Sequence, residues 1–173
     1  MRFRPKSIAI SSGKGGTGKT ILTANLGVVM ANQGHDVTVL DGDLGMANLA
    51  IVMGMRHCPV TFLDVLAGEA EPEDAIYEGY GVKIVPTGFR FEDTQELLSR
   101  GSREDVEGAV EELLHQTEFL LIDAPAGIAD ATIISIAAAR EMLPVTNPNY
   151  SSLVDCYKTV GKAGWSSLFL SLS

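Results

Sequence analysis

A glycine-rich segment near the start of the chain has the residue types and the spacing that bind phosphate groups. It runs from Gly13 to Thr20 and reads GKGGTGKT, which fits the pattern GxxxxGK(S/T). A β-favouring run precedes it and an apolar run with helical character follows, as the motif requires. Glycines let successive backbone N–H groups turn toward a phosphate, and the start of a helix adds a favourable dipole. The sequence therefore predicts a site for a nucleoside triphosphate with Mg²⁺.

The side chains of this segment have separate expected roles. Lys19 is expected to reach the β- and γ-phosphates, and the Thr20 hydroxyl to bind Mg²⁺. A generic phosphate loop does not need Lys14, which is either a surface lysine or a charge that reaches a triphosphate, including one bound by a second subunit. The residues expected to contact the nucleotide are Gly13, Lys14, Gly15, Gly16, Thr17, Gly18, Lys19 and Thr20.

Carboxylates stand at the ends of two predicted strands. Asp41 and Asp43 form the sequence DGD, and their two-residue spacing points both side chains the same way in an extended segment. Asp123 ends the run FLLID, as in a Walker B strand whose carboxylate supports the metal. Each acid could be a polar turn residue, but ligands of open α/β sheets bind at the carboxyl ends of the strands. We expect one carboxylate of the Asp41–Asp43 pair to hold a magnesium-bound water and the other to position the attacking water.

The elements that must position these residues alternate between strand and helix. Nearly continuous apolar runs are typical of parallel strands buried on both faces. The predicted fold class is α/β, a three-layer P-loop NTPase with a mostly parallel central sheet and helices on both faces. Strands are predicted over residues 7–11, 37–40, 82–85, 119–122 and 142–146, and helices over 19–33, 62–67 and 131–139.

Three Ser/Thr–Asp pairs have the spacing of a helix-capping box. Thr61 with Asp64 precedes the predicted helix at 62–67, and Ser152 with Asp155 predicts the start of a last helix. Ser102 with Asp105 predicts a helix whose apolar face carries Val106, Ala109, Val110, Leu113 and Leu114.

Length, composition and charge restrict the class of protein. A chain of 173 residues with 46% hydrophobic residues is long enough for one domain with a core. The net charge of −9 disfavours nucleic-acid binding through a broad basic surface and is typical of a soluble cytoplasmic protein. Cys58 and Cys156 are far apart and form no metal-binding motif, so both are interpreted as reduced structural thiols.

Three motifs together resemble the MinD/ParA family of deviant Walker A ATPases. They are KGGTGKT with Lys14, DGDLGMANL at 41–49 and LLIDAPAGI at 120–128. The stretches at 61–77 and 146–155 are also similar to the family, and the resemblance covers the chain up to about Val160. It implies a domain at 1–160, incomplete at its C-terminal end, followed by a divergent tail at 161–173.

The resemblance implies a mechanism and partners. It implies hydrolysis of ATP with Mg²⁺ by a nucleotide-sandwich homodimer, with Lys14 acting across the dimer and Asp43 positioning the attacking water. Asp41 and Asp123 would lie in the outer shell of the metal that Thr20 binds, and Asn48 would contact the partner or water. The implied role is a dimerising switch in septum-site selection and cell division, with regulatory protein partners. Its implied location is the cytoplasm, including peripheral attachment to the inner face of the cell membrane in longer relatives.

Three features depart from the family pattern. Ile21, counted among the nucleotide-binding positions, replaces a threonine that contacts the α-phosphate in the family. Pro144 lacks the N–H that a central strand needs, so we expect disturbed pairing there. After about Val160 the chain lacks the adenine-recognition segment and membrane helix of the family, which indicates a fragment or a frameshifted end. A naturally short end is less expected because it would leave the fifth strand without a neighbour.

Two other functions stay open at this point. One is a related positioning ATPase of the flagellar-number or ParA partition type, although the acidic charge argues against ParA-like DNA binding. The other is a nucleotide-binding module that does not catalyse hydrolysis. A carrier of iron–sulfur clusters is disfavoured because the sequence has no paired-cysteine motif.

Overall fold

The predicted strands assemble into one mostly parallel sheet. The structure, a computed structural model, describes residues 5–44, 47–88, 103–127, 138–163 and 171–172. Within these ranges the strand order is β3-β4-β2-β5-β1-β6-β7, and only the β3–β4 pair is antiparallel. The strands are β1 (Lys6–Ser12), β2 (Val37–Asp41), β3 (Tyr77–Gly79), β4 (Val82–Val85), β5 (Phe119–Ala126), β6 (Glu141–Thr146) and β7 (Ser171–Leu172).

Among the described residues, helices lie between most of the parallel strands, as parallel pairing requires. They are α1 (Lys19–Asn32), α2 (Leu49–Val52), α3 (Phe62–Leu66), α4 (Arg103–His115) and α5 (Tyr150–Lys162), with a 3-10 turn at Pro72–Ala75. In the part of the chain that is described, none of these helices is long and apolar enough to span a membrane.

Two buried apolar clusters cover the two faces of the sheet. One contains Leu40 and Ile122 with Val110 of α4, and the other contains Val39 and Leu121 with Ala24 of α1. Neighbouring residues of one strand therefore enter opposite clusters, as the two-residue period of a strand dictates. The predicted three-layer α/β architecture is confirmed.

Most predicted elements are confirmed, with changes at their ends. The capping box of Thr61 and Asp64 is present at the start of α3. Four of the apolar positions predicted for α4 are buried, and Ala109 packs against them. Strand β3, which was not predicted from the sequence, is joined to β4 by a tight turn at Tyr80 and Gly81. Ser102 and residues 131–137 lie outside the described residues.

Two expectations for the C-terminal third are wrong. Ser152 and Asp155 do not cap α5; the Asn149 side chain does, because its Oδ1 accepts a hydrogen bond from Ser152 N at 2.9 Å. Pro144 does not interrupt pairing, since β6 pairs with β1 through the register Ser11↔Pro144. In a parallel ladder only alternate residues bond to a given neighbour, so one missing N–H is tolerated.

The tail supplies a short neighbour for β6. Ser171 and Leu172 pair in parallel with Val145 and Thr146. The edge of β6 is therefore covered over these two residues.

Candidate nucleotide-binding site

The glycine-rich segment connects β1 directly to α1, at the carboxyl end of a central strand. Gly16 and Gly18 have φ values of 76° and 83°, which L side chains rarely adopt. A Cβ atom built at either residue, or at Gly15, would meet nothing within 4 Å. The loop is therefore an open cradle whose conformation requires glycine, as predicted for a phosphate site.

Thr17 provides a test of whether this cradle fits a polar ligand. Its side chain is buried, yet its hydroxyl has no hydrogen-bond partner among the described residues. A buried hydroxyl without a partner is costly and calls for an explanation. A phosphate oxygen bound in the loop would supply the missing partner, so the residues fit a phosphorylated ligand.

Lys19 and Asp123 form a buried ion pair under the loop. Lys19 Nζ lies 3.1 Å from Asp123 Oδ1, and Thr23 Oγ1 lies 3.5 Å from the same oxygen. Burial raises the pKa of Asp123, while Lys19 and a hydrogen bond from the Thr20 side chain oppose that rise. The structure thus brings together Lys19, Thr20 and Asp123, which the sequence analysis assigned to phosphate and metal binding.

The two strand-end carboxylates are neighbours in the sheet. Asp41 of β2 is in register with Asp123 of β5. Burial raises the pKa of Asp41 to about 7; N–H groups of Leu49 and Asp43 lower it, and the charges of Asp123 and Asp43 raise it. Three carboxylates therefore share the carboxyl end of the sheet beside the glycine loop.

These acids do not form a complete metal site by themselves. Among the described residues, no group of three or more His, Cys, Asp or Glu side chains could hold a metal ion. Mg²⁺ keeps several waters and is usually bound by one or two protein oxygens together with substrate phosphates. The assignment of Thr20, Asp41 and Asp123 to Mg²⁺ stays a prediction that depends on a bound phosphate.

Lys14 contacts α5 instead of the Lys19–Asp123 pair. Its Nζ donates to Ser151 Oγ at 2.5 Å and lies 3.4 Å from Asp155 Oδ2, and its side chain is 43% exposed. A Cβ atom on Gly13 would lie 2.4 Å from the backbone carbonyl carbon of Asp155. The start of the loop is therefore packed tightly against α5.

This role of Ser151 and Asp155 was not predicted from the sequence. Their positions, more than 130 residues from Lys14, carry no spacing signal, and only the β1–β6 pairing brings α5 to the loop. Ile21 lies on the outer side of α1 with 55% exposure, and Asn48 is exposed at the start of α2. Among the described contacts, neither residue is a hydrogen-bond or ion-pair partner of the Lys19 or Asp123 side chain.

A family model described as "ParA: NUBPL iron-transfer P-loop NTPase" matches residues 5–163. The chain belongs to the MinD/ParA family of P-loop NTPases. The match includes the cradle, the ion pair and the strand-end carboxylates described above. Both cysteines of the chain, half-buried Cys58 and buried Cys156, are free.

Similar proteins support the same assignment. An ATP-binding protein of Methanocaldococcus jannaschii is 46% identical over 155 residues, which are 89% of this chain and 57% of that protein. The Pyrococcus furiosus cell division ATPase MinD has a TM-score of 0.87 and 39% identity, covering 97% of this chain and 71% of that one. MinD from Pyrococcus horikoshii, complexed with Mg-ADP, has a TM-score of 0.84 and 38% identity, covering 96% and 69%. The chain spans little more than half the length of the first relative.

Proposed function

We propose that this chain is the nucleotide-binding part of a Mg²⁺-dependent ATPase that dimerises when ATP is bound and serves as a positioning switch, as in septum-site selection. The observation that carries the proposal is the buried contact of Lys19 with Asp123 directly beneath an open glycine cradle. The bound Mg-ADP of the Pyrococcus horikoshii MinD structure favours adenine nucleotide and Mg²⁺ as the ligands. The 39% identity to a cell division ATPase supports the septum-site role.

The chain's own residues account for nucleotide binding. The N–H groups of the cradle and the amino end of α1 bind phosphate oxygens, and the Thr17 hydroxyl gains a partner. Lys19, the first residue of α1, has three N–H donors, so it can bind a phosphate oxygen while it contacts Asp123. ATP with Mg²⁺ supplies a phosphoryl group whose negative charge needs compensation during transfer. Thr20, whose side chain is hydrogen-bonded to Asp123, is the metal-facing group of the chain.

Hydrolysis requires a residue that orients water and a charge that stabilises the transferred group. Asp43 follows the end of β2 and lies close enough to Asp41 and Asp123 for its charge to raise both their pKa values. We assign the water-positioning role to Asp43. Lys14 would leave Ser151 and Asp155 to reach a phosphate bound by a second copy, which makes dimerisation depend on ATP.

Other positioning roles would use the same site. The flagellar-number type is compatible with the DGDLGMANL segment, whereas the net charge of −9 argues against a DNA-bound partition ATPase. Nucleic acid is therefore not among the proposed partners.

Steady-state turnover of Mg-ATP tests this proposal. Asp43→Ala is expected to lower kcat at least about a hundredfold while ATP still binds, the usual loss for a group that acts on the attacking water. Asp36→Ala, at the opposite end of the sheet, is the matched control and should retain turnover. ATP binding without turnover in the unmodified chain would favour the non-hydrolysing module instead. Unchanged turnover in Asp43→Ala would reject the role of Asp43.

A further inference from the structure

Both carboxylate oxygens of Asp41 accept hydrogen bonds from backbone N–H groups that follow β2. Its Oδ1 accepts a hydrogen bond from Asp43 N at 3.1 Å, and its Oδ2 accepts one from Leu49 N at 3.0 Å. The residue is completely buried. Each carboxylate oxygen thus binds a different part of the chain, one two residues and the other eight residues downstream.

The hydrogen bond from Leu49 N to Asp41 provides a partner for a backbone N–H group at the start of α2. Leu49 is the first residue of α2, and the N–H groups of a first helical turn have no partner within the helix. The side chain of Asn48, the preceding residue, makes no capping hydrogen bond to α2. Asp41 therefore caps α2 from a neighbouring strand, and it fixes the buried Leu49 against the core.

The position of Asp41 is itself fixed by its neighbours. Thr87 Oγ1, which follows β4, donates to the carbonyl oxygen of Asp41. The next residue, Gly42, donates its N–H to the carbonyl oxygen of Asp123 at 3.0 Å. A Cβ atom on Gly42 would lie 3.0 Å from Ile122 Cγ2 and 3.1 Å from Asp123 O, so the chain passes unusually close to β5 here. Asp41 is thus a rigid anchor for a segment that carries Asp43 and Asn48.

We propose that Asp41 is a positioning residue, whose two carboxylate oxygens hold Asp43 and the start of α2 in place through the N–H groups of Asp43 and Leu49. Its importance for hydrolysis rests on the proposed function, because Asp43 is the residue it orients. This assignment differs from the role that family resemblance implies, in which Asp41 acts through metal-bound water. Loss of an outer-shell ligand would lower the affinity for Mg²⁺. Loss of a positioning residue would instead loosen the backbone, even when no nucleotide is bound.

Hydrogen exchange of the nucleotide-free chain separates these roles. Asp41→Asn keeps the shape of the side chain but replaces one acceptor oxygen by an NH₂ group, which cannot accept from a backbone N–H. Exchange at the Asp43 or Leu49 amide is expected to become roughly tenfold faster, the effect of losing one net hydrogen bond. Asp36→Asn is the matched control, because it makes the same change just before the first residue of β2, at the opposite end of the sheet, and it is expected to leave both amides protected.

The outcomes are distinct. Retained protection of both amides in Asp41→Asn would overturn the proposal, whatever happens to the Mg²⁺ requirement. Faster exchange in Asp41→Asn but not in Asp36→Asn would support it. If Asp41→Asn does not fold, the exchange rate of the Leu49 amide in the unmodified chain is the deciding measurement. Exchange as fast as in an unstructured peptide would overturn the proposal. A chain without ATPase activity would still give these results, so failure of the proposed function is recognised separately.

A kinetic measurement completes the test. In a chain that hydrolyses ATP, Asp41→Asn is expected to lower kcat by at least roughly tenfold with little change in KM, since a displaced Asp43 affects the attacking water more than binding. A change confined to the Mg²⁺ concentration needed for half-maximal rate would contradict the positioning role.

Discussion

Lys19 Nζ contacts Asp123 Oδ1 at 3.1 Å, with 10% and 3% of the two side chains exposed. The contact joins the first residue of α1 to β5 and lies beneath the glycine cradle. The lysine that is proposed to bind phosphate is thus paired with the acid that is proposed to support the metal. Because both groups are buried, loss of either one would leave the other charge without compensation.

Removal of the acid from this pair should destabilise the nucleotide-free protein. Asp123→Ala leaves Lys19 buried without its counter-charge, and we expect the free energy of unfolding to fall by about 3 kcal/mol. The measurement is urea unfolding followed by circular dichroism. Asp36→Ala breaks the partly exposed pair of Asp36 with Lys83 and is expected to cost less than about 1 kcal/mol. If both variants lose the same free energy of unfolding, burial does not make the Asp123 pair more important for stability than the partly exposed pair.

The close packing of Gly13 against α5 predicts a size limit at this position. Gly13→Ala places a Cβ atom 2.4 Å from Cys156 N, so α5 or the loop must move. Overpacking of this kind costs about 1–3 kcal/mol, measured as a lower thermal midpoint. Gly15→Ala is the control, because its Cβ meets nothing within 4 Å. An equally stable Gly13→Ala variant would show that α5 is not packed against the loop as described.

The buried hydroxyl of Thr17 should matter for ligand binding and not for folding. Thr17→Val removes a hydroxyl that lacks a partner, so stability without nucleotide should stay equal or rise by about 1 kcal/mol, whereas nucleotide affinity should fall roughly tenfold. Isothermal calorimetry and thermal unfolding measure the two effects. Thr38 of β2 also has a buried hydroxyl without a partner among the described residues, and Thr38→Val should leave nucleotide affinity unchanged. If Thr17→Val binds nucleotide as tightly as the unmodified chain, its hydroxyl does not contact the ligand.

Dimerisation should depend on Lys14. Lys14→Ala is expected to bind ATP within roughly threefold of the original affinity, since Lys19 and the cradle remain, but to stay monomeric with ATP in analytical ultracentrifugation. Lys158→Ala is a matched control, because Lys158 also pairs with Asp155, at 3.6 Å. This second variant should dimerise normally. An ATP-dependent dimer of Lys14→Ala would exclude action of this lysine across the interface.

The raised pKa of Asp41 predicts how stability depends on pH. Its value is about 7 in the folded chain against 3.8 for an ordinary aspartate, so the folded state binds a proton that the unfolded state has lost between these two values. The contribution of this group is complete below about pH 4 and is lost as pH rises to 7, with a slope approaching 1.4 kcal/mol per pH unit. Unfolding of the metal-free chain between pH 5 and 8 measures the slope. Asp41→Asn, which does not titrate, should show a smaller slope, and equal slopes would refute the shifted pKa.

The sequence by itself determined the motifs and most of the elements. The pattern from Gly13 to Thr20 predicted a strand-to-helix cradle, and the positive φ values of Gly16 and Gly18 explain the glycines at these positions. Apolar runs fixed β2, β4 and β6 because parallel strands are buried on both faces. The β3 strand was missed because three partly exposed residues with a Tyr-Gly turn give no periodic signal.

The tertiary structure alone decided which distant residues meet. Pairing of β5 between β1 and β2 places Asp123 beside both Lys19 and Asp41, and pairing of β1 with β6 places α5 on Lys14. The capping of α2 by Asp41 is of the same kind, since no local pattern links residues 41 and 49. Local sequence controls the backbone through steric preference and hydrophobic period, whereas these contacts depend on strand order, which long-range burial selects.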